Sequence, residues 1–457
     1  MNTPARPIQD VMVAGPRLTS LGRPTLFELL RSCRVTSAAL LLWWLASLYP
    51  LWDRGLQDNL RSAADATTTG SLGNQLLVLS FALLGAVHLP QAIPALRARR
   101  ESRILFGVLG VYLLWSAATL LWSDDIDLSI RRLGILILVL IGAIGLGTGF
   151  YAQSHERTLR IARHVQWAAW TAVATLVASR LWNSNLLDLL DPDWMLKSDT
   201  RIEFYVFPVS YGLVAALVLY PFGKMKQTLT VLMFGLVLIL LKGRTMLAGA
   251  VAASLLVSAR MSRHLLWRGI SFAFGLFLAL VQVDLAAGGR IFRWFVDLVA
   301  DGFPSLVHYL TIGHGIDDLV NLSGRVPLWQ TLWPYFWDNP LAGHGFGAFW
   351  NASRFEAIDP EAGWLAVAAH NGFLDELLAT GIIGLVLVLI FWFVGIRVSL
   401  RLATEDERGS SLVFGWLALF LLFNSMSSLL QCPFLSPNLF SLAALFTLLG
   451  PSWEIAS

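Results

Sequence analysis

Residues 104–151 read ILFGVLGVYLLWSAATLLWSDDIDLSIRRLGILILVLIGAIGLGTGFY. Two apolar runs, 104–122 and 133–151, flank a polar loop at 123–132, and each run is long enough to cross about 30 Å of hydrocarbon as a helix. Inside lipid a backbone must satisfy its own hydrogen bonds, so runs of this kind are helices. The same reading extends along the chain. Of its 457 residues, 56% are hydrophobic and 14% charged, whereas roughly a quarter of a soluble domain is charged. Further runs lie at 35–52, 75–94, 162–180, 204–222, 228–241, 245–259, 265–283, 376–396, 411–430 and 437–451. The expected fold is all-α: a polytopic integral membrane protein with about twelve transmembrane helices and one large loop. The runs 228–241 and 245–259 are short and separated only by Lys242–Arg244, so one helix broken at Gly243 is the alternative.

Basic residues orient the chain. With the N-terminus inside, the clusters at 97–103, 157–163, 224–226, 260–268 and 397–408 face the cytoplasm, as do the five arginines before residue 35. That face then holds 20 of the 33 basic and 8 of the 30 acidic residues, leaving 13 and 22 outside. Both termini inside satisfies the positive-inside rule. The net charge of +3 therefore reflects topology and implies no nucleic-acid partner. The organisation reads as a cytoplasmic tail (1–34), nine helices (35–283), an outer loop (284–375) and three final helices (376–457). Residues 1–34 lack an apolar core followed by a small-residue cleavage site, so no cleavable signal peptide is expected. Cys33 and Cys432 fall on opposite faces and are not expected to pair.

The outer loop is rich in Trp, Phe and Gly without containing a spanning run. Within Ser323–Gly384 it reads SGRVPLWQTLWPYFWDNPLAGHGFGAFW, an insert, then AAHNGFLDELLATGIIG, with Arg325, His344 and His370. Val326–Trp337 reads as an amphipathic helix with Trp329, Trp333, Phe336 and Trp337 on one side, either lying along the membrane surface or packed on the bundle. Pro327 suits a helix start, and Pro334 is expected to end or kink the helix.

Arginines on this face run against the positive-inside rule, so each needs a reason. Arg131 and Arg132 close the loop WSDDIDLSIRR, Arg201 lies in KSDTRIEF, Arg244 in LKGRTM, and Arg325 opens the amphipathic segment. Singly, each is explained by a headgroup or by an ion pair with Asp124, Asp125, Asp127 or Asp199. Together they suit a shared anionic ligand, because guanidinium grips phosphate oxygens with paired hydrogen bonds. His370 precedes Asn371 and Gly372 where the loop re-enters the membrane, a place where a histidine can act as a base near neutral pH. His308, His314, Asp317 and Asp318 lack recognised metal spacing. Asp191-Pro-Asp193 reads as a turn rather than a metal-holding DxD triplet. The close glycines of Gly343-His-Gly-Phe-Gly have no preceding strand and so no dinucleotide-binding context; they allow backbone to approach a ligand or a helix.

LWSDDIDLSIRR, LKGRTMLAG, SGR followed by NPLAGHGFGAFW, and AHNGFLDELLATGIIGL together resemble the O-antigen ligase and polymerase superfamily (the Wzy/WaaL-type membrane glycosyltransferases). GHGFGAFW resembles the exopolysaccharide polymerases more than the lipid A ligases. RIEFYVFPVSYG at 201–212 departs from the polar segment that family members often carry there.

The resemblance implies glycan transfer from an undecaprenyl-diphosphate donor at the periplasmic face of the bacterial inner membrane. A polymerase joins lipid-linked repeat units into exopolysaccharide or O-antigen. A ligase moves finished glycan onto lipid A or protein. A transporter, the reading from another class, predicts ionisable residues near the bilayer midplane, whereas here they gather outside. In the implied site His370 is the general base, with Asn371 orienting it or contacting sugar. Arg244 and Arg325 hold the diphosphate, with Arg131, Arg132, Arg201 and His344 as further substrate ligands. No metal or nucleotide cofactor is expected, since the donor is already activated. A chain-length regulator and a flippase are expected partners besides the lipid bilayer.

Overall fold

The computed structural model describes residues 33–47, 72–98, 100–151, 157–183, 203–220, 224–240, 244–261, 290–304, 324–362, 366, 368–401, 406–424 and 442–447. Among these every regular element is a helix. In chain order they are α1 (Cys33–Ser47), α2 (Leu72–Ala98), α3 (Arg100–Ala118), α4 (Ile126–Ile144), α5 (Arg157–Asn183), α6 (Glu203–Leu219) and α7 (Met225–Leu240). There follow α8 (Arg244–Met261), α9 (Arg290–Gly302), α10 (Arg325–Asp338), α11 (Ala352–Ala362), α12 (Gly372–Arg401) and α13 (Glu407–Asn424). A tight turn at Thr119–Trp122 prolongs α3, and a widened turn at Gly145–Phe150 prolongs α4.

Four stretches are long and apolar enough to cross a membrane: Gln75–Ile93, Arg100–Trp122, Ile126–Phe150 and Gly372–Arg401. Tyr205–Leu219, Met225–Ile239 and Leu247–Met261 are shorter apolar helices. The chain is therefore a helical membrane protein. Residues 225–261 form two helices, α7 and α8, rather than one. The expected run at 265–283 and most of 437–451 lie outside the described residues, as do Asp191, Asp193, His308, His314, Asp317 and Asp318.

Apolar side chains between helices build the main core. α2 packs on α4, α5 on α6, α8 on α6 and α13, and α12 on α3 and α13. Several polar groups in this core pair across helices, as a low-dielectric interior favours. The indole of Trp416 on α13 donates to the Tyr211 carbonyl on α6 (3.2 Å). The Tyr112 hydroxyl on α3 donates to Glu376 Oε1 on α12 (3.0 Å), and Thr380 donates to the same oxygen.

A second, smaller core lies under residues 324–380. Leu328, Leu332 and Phe336 form the inner row of α10 and meet Phe349, Trp350, Phe355 and Ile358, with Leu374 and Leu378 from the start of α12. The outer row of α10 leaves Trp333 and Trp337 43% and 68% exposed. The expected single aromatic face is thus split: Phe336 turns inward with the leucines, while Trp333 and Trp337 face away. Pro334 does not end the helix, which continues to Asp338.

Candidate active site

The site is built around a break in α12. At Gly381 the backbone turns to φ 70°, ψ −171°, a region open essentially to glycine alone. The break separates a short half-helix, 372–380, from the longer 382–401. It leaves backbone groups with no partner inside the helix, which at membrane depth must be satisfied elsewhere. The loop 339–346 supplies them. Pro340 O accepts from the Ile382 N–H (2.9 Å), and the His344 N–H donates to Leu378 O (2.8 Å). The Trp115 indole on α3 donates to Thr380 O (3.0 Å). Such intimacy explains the glycine pattern of GHGFG. Gly343, Gly345 and Gly347 all have positive φ, and a Cβ on them would collide with the Ala379–Thr380 backbone, Ser123 and Arg132 respectively. Of the two sequence alternatives, these glycines serve approach to neighbouring helices.

The loop is bolted to the start of α4 by a partly buried polar junction. His344, 6% exposed, donates through Nε2 to Tyr335 O (2.8 Å), and its Nδ1 lies 3.2 Å from Asp124 Oδ2. The same Asp124 oxygen pairs with Arg354 Nη2 (3.0 Å). The Arg354 guanidinium lies over the rings of Tyr335 (4.6 Å) and Phe349 (5.3 Å). Asp125 caps α4, accepting from the Leu128 N–H (2.9 Å). Three chain segments meet here, and Arg354 is the arginine that Asp124 neutralises.

At the other end of the half-helix, just before Gly372, lies His370. It sits at φ 50°, the only positive φ outside glycine among the described residues, which costs about 1–2 kcal/mol for an L-residue. Neighbouring contacts hold it there. Before it, the Ala369 N–H donates to Asp375 Oδ1 (3.0 Å), and Ala369 O accepts from the Trp329 indole (2.7 Å). After it, Asn371 Oδ1 accepts from the N–H groups of Phe373 (3.1 Å) and Leu374 (3.2 Å), capping α12. Trp329 is one helical turn beyond Arg325, so docking Trp329 on Ala369 brings the first turn of α10 to His370. Burial first, and the positive charge of Arg325 second, push His370 down from its ordinary 6.5 to about 4. The imidazole is therefore neutral and proton-accepting at pH 7.

Two helix starts thus converge on this imidazole: α10 at Arg325 and α12 at Gly372. Helix N-termini carry partial positive charge and favour anions. Gly324, at the head of α10, has no side chain with which to cap it. A guanidinium at a helix N-terminus compounds the positive field, which makes this corner of the fold suited to an anionic ligand beside a neutral base.

The remaining expected residues distribute as follows. Arg325, His370 and Asn371 come together, with Asn371 engaged as the helix cap. Arg132 packs its side chain against Gly347 in the loop threaded into the break, and Arg131 next to it is half-buried. His344 is taken up by the junction with Tyr335, Asp124 and Arg354. Arg244 opens α8, but its side chain, like the whole of Arg201, lies outside the described residues. Among the described residues no group of three His, Cys, Asp or Glu side chains could hold a metal ion. Trp329, Asp375 and Arg354 escaped the sequence reading. Arg354 carried one usable signal, an arginine in the loop expected on the face that disfavours them. Trp329 was legible only as an amphipathic aromatic, and Asp375 only as an acid in a helix first turn.

Residues 229–389, from α7 through the break in α12, match the family model described as O-antigen ligase (Wzy_C). That stretch includes α10, the threaded loop and His370. No curated protein matches the chain.

Proposed function

We propose, from the match of residues 229–389 to the O-antigen ligase family model, that this chain polymerises undecaprenyl-diphosphate-linked repeat units at the periplasmic face of the inner membrane. The observation that carries the reading is a buried, neutral His370, just before α12, that feels the positive charge of Arg325 at the head of α10. In the reaction an acceptor hydroxyl oxygen attacks C1 of the donor sugar. The C1–oxygen bond to the lipid diphosphate breaks, and its electron pair leaves with the phosphate. His370 takes the hydroxyl proton as the new glycosidic bond forms, and direct displacement inverts the anomeric centre. Arg325 and the α10 N-terminus neutralise the charge that grows on the departing diphosphate. Arg132, Arg131, Arg244 and Arg201 are the further cations of the proposed site.

The two roles are electrostatically linked. In the empty site Arg325 helps to hold the imidazole unprotonated, and so also makes it a weak base. A diphosphate seated against Arg325 offsets that positive charge and favours imidazolium. Donor binding thereby strengthens the base at the moment it is needed.

The test uses a host deleted for the gene and expressing His370→Gly or Arg325→Gln at equal membrane abundance. Each variant is expected to lose long-chain polymer, with single repeat units accumulating on the lipid carrier. Normal polymer from either variant removes that residue from the mechanism. The runner-up is a ligase, consistent with the matched model's description, and predicts instead that long lipid-linked chains accumulate. A chain-length regulator and a flippase are the partners proposed for the polymerase.

A further inference from the structure

The Ala369 peptide units are gripped from two directions, by side chains that the proposed chemistry does not use. Asp375 lies in the first turn of α12 and is 1% exposed. Its Oδ1 accepts from the Ala369 N–H (3.0 Å) and from the Trp350 indole (2.6 Å). On the other face Ala369 O accepts from the Trp329 indole (2.7 Å). The residue that follows, His370, is the one in the left-handed conformation. Without such a grip the ordinary relaxation of this residue is toward negative φ, which swings the side chain to a new direction.

We infer that Asp375 and Trp329 are positioning residues: together they clamp Ala369, lock His370 in its left-handed conformation and hold the imidazole against Arg325. This rests on the reading of His370 as the general base. The clamp does two things at once. Trp329 and Arg325 share one face of α10, so the bond that fixes the histidine backbone also registers the arginine to it. Trp350, from the far end of the threaded loop, ties the same carboxylate to the glycine-rich segment. The break in α12, the loop that fills it and the base are thus one mechanical unit. In the first turns of the two helices packed here the charged groups are Arg325 of α10 and Asp375 of α12, with Glu376 one residue further on. Asp375 acts through its hydrogen bonds to backbone and indole, so an amide oxygen in its place should serve.

The experiment takes the full-length protein in detergent or nanodiscs and reads two quantities. One is turnover with a defined lipid-linked repeat. The other is the pH midpoint for diethyl pyrocarbonate labelling of His370, read by mass spectrometry, which needs no activity. Trp329→Phe removes the indole N–H donor together with its five-membered ring and keeps one aromatic ring in place. It is expected to lower kcat by about 10–100-fold, as a misaimed catalytic group does, with KM for the donor changed much less. The His370 midpoint should rise from about 4 toward 6.5 as the ring leaves its buried place beside Arg325. Asp375→Ala should do the same, and Asp375→Asn should restore both quantities. An unchanged midpoint in Trp329→Phe and Asp375→Ala overturns the clamp, whatever happens to turnover. Asp375→Asn behaving like Asp375→Ala overturns the hydrogen-bonding account in favour of charge. A raised midpoint with full turnover leaves the clamp standing and instead removes His370 as the base.

Discussion

The acid side of the pH–rate profile is where the proposed site commits itself most. His370 is shifted from 6.5 to about 4, about 2.5 units, or about 3 kcal/mol at 1.36 kcal/mol per unit. At pH 7 the neutral imidazole then outnumbers the cation by about a thousand to one. The kcat/KM of the free enzyme should be flat from neutral pH down to about 5 and fall by half near 4, where an ordinary histidine would have halved it near 6.5. Arg325→Gln removes the smaller of the two causes. The midpoint should therefore rise, yet stay nearer to 4 than to 6.5, because burial is the larger cause. The assay is in-vitro extension of a lipid-linked repeat by purified protein, with intrinsic tryptophan fluorescence reporting that the fold persists at each pH. A wild-type midpoint at 6.5, or a downward move in Arg325→Gln, refutes the electrostatic reasoning. Stability follows the same linkage. The folded-state value lies below the unfolded one, so this contribution is fully present above about 6.5 and is lost as pH falls through about 4.

Three further outcomes are expected. His370→Gly relieves the backbone strain at φ 50°, offset by the greater chain entropy of glycine, so the melting temperature should stay close to wild type. Turnover should nevertheless drop by about 10²–10⁴-fold; a large stability loss would show that the side chain is chiefly a packing element. Gly381→Ala combines a disallowed backbone conformation with collision against the Leu341 carbonyl, and should destabilise by about 2–5 kcal/mol in a denaturation series. A double-mutant cycle on Asp124→Asn and Arg354→Gln should return a coupling of about 0.5–1 kcal/mol, since the pair is only partly buried (31% and 23% exposed). Zero coupling there would mean that the junction is held by the aromatic contacts of Arg354 alone.

Most of the helices were legible because hydrophobic length is a local property. The described helical residues overlap eleven of the twelve apolar runs read from sequence, and two of those, 228–241 and 245–259, became separate helices rather than one. The helix start just after His370 was legible, but Asn371, expected to orient the base or contact sugar, is engaged instead as the helix cap. The aromatic segment after Arg325 was only half legible. A helical period places Trp329, Leu332, Phe336 and Trp337 around a helix, but the row that turns inward depends on what packs against it. Here Phe349, Trp350 and Leu378 chose Leu328, Leu332 and Phe336.

The amino-acid sequence by itself determined a helical membrane protein and singled out the two short segments, around GHGFG and around His370, that build the candidate site. Lipid penalises every unpaired backbone group and every buried charge, so composition and run length alone carry that information. Tertiary structure decided what the two segments do to each other. The glycines of GHGFG became the thread through a broken helix, His344 became a bolt on Asp124, and Arg325 met His370 through Trp329 and Ala369. Those contacts join residues 40 to more than 200 positions apart. The backbone turn at Gly381, where the loop threads in, is likewise recorded by no hydrophobic period, because a single residue of positive φ changes the direction of a chain without changing its polarity.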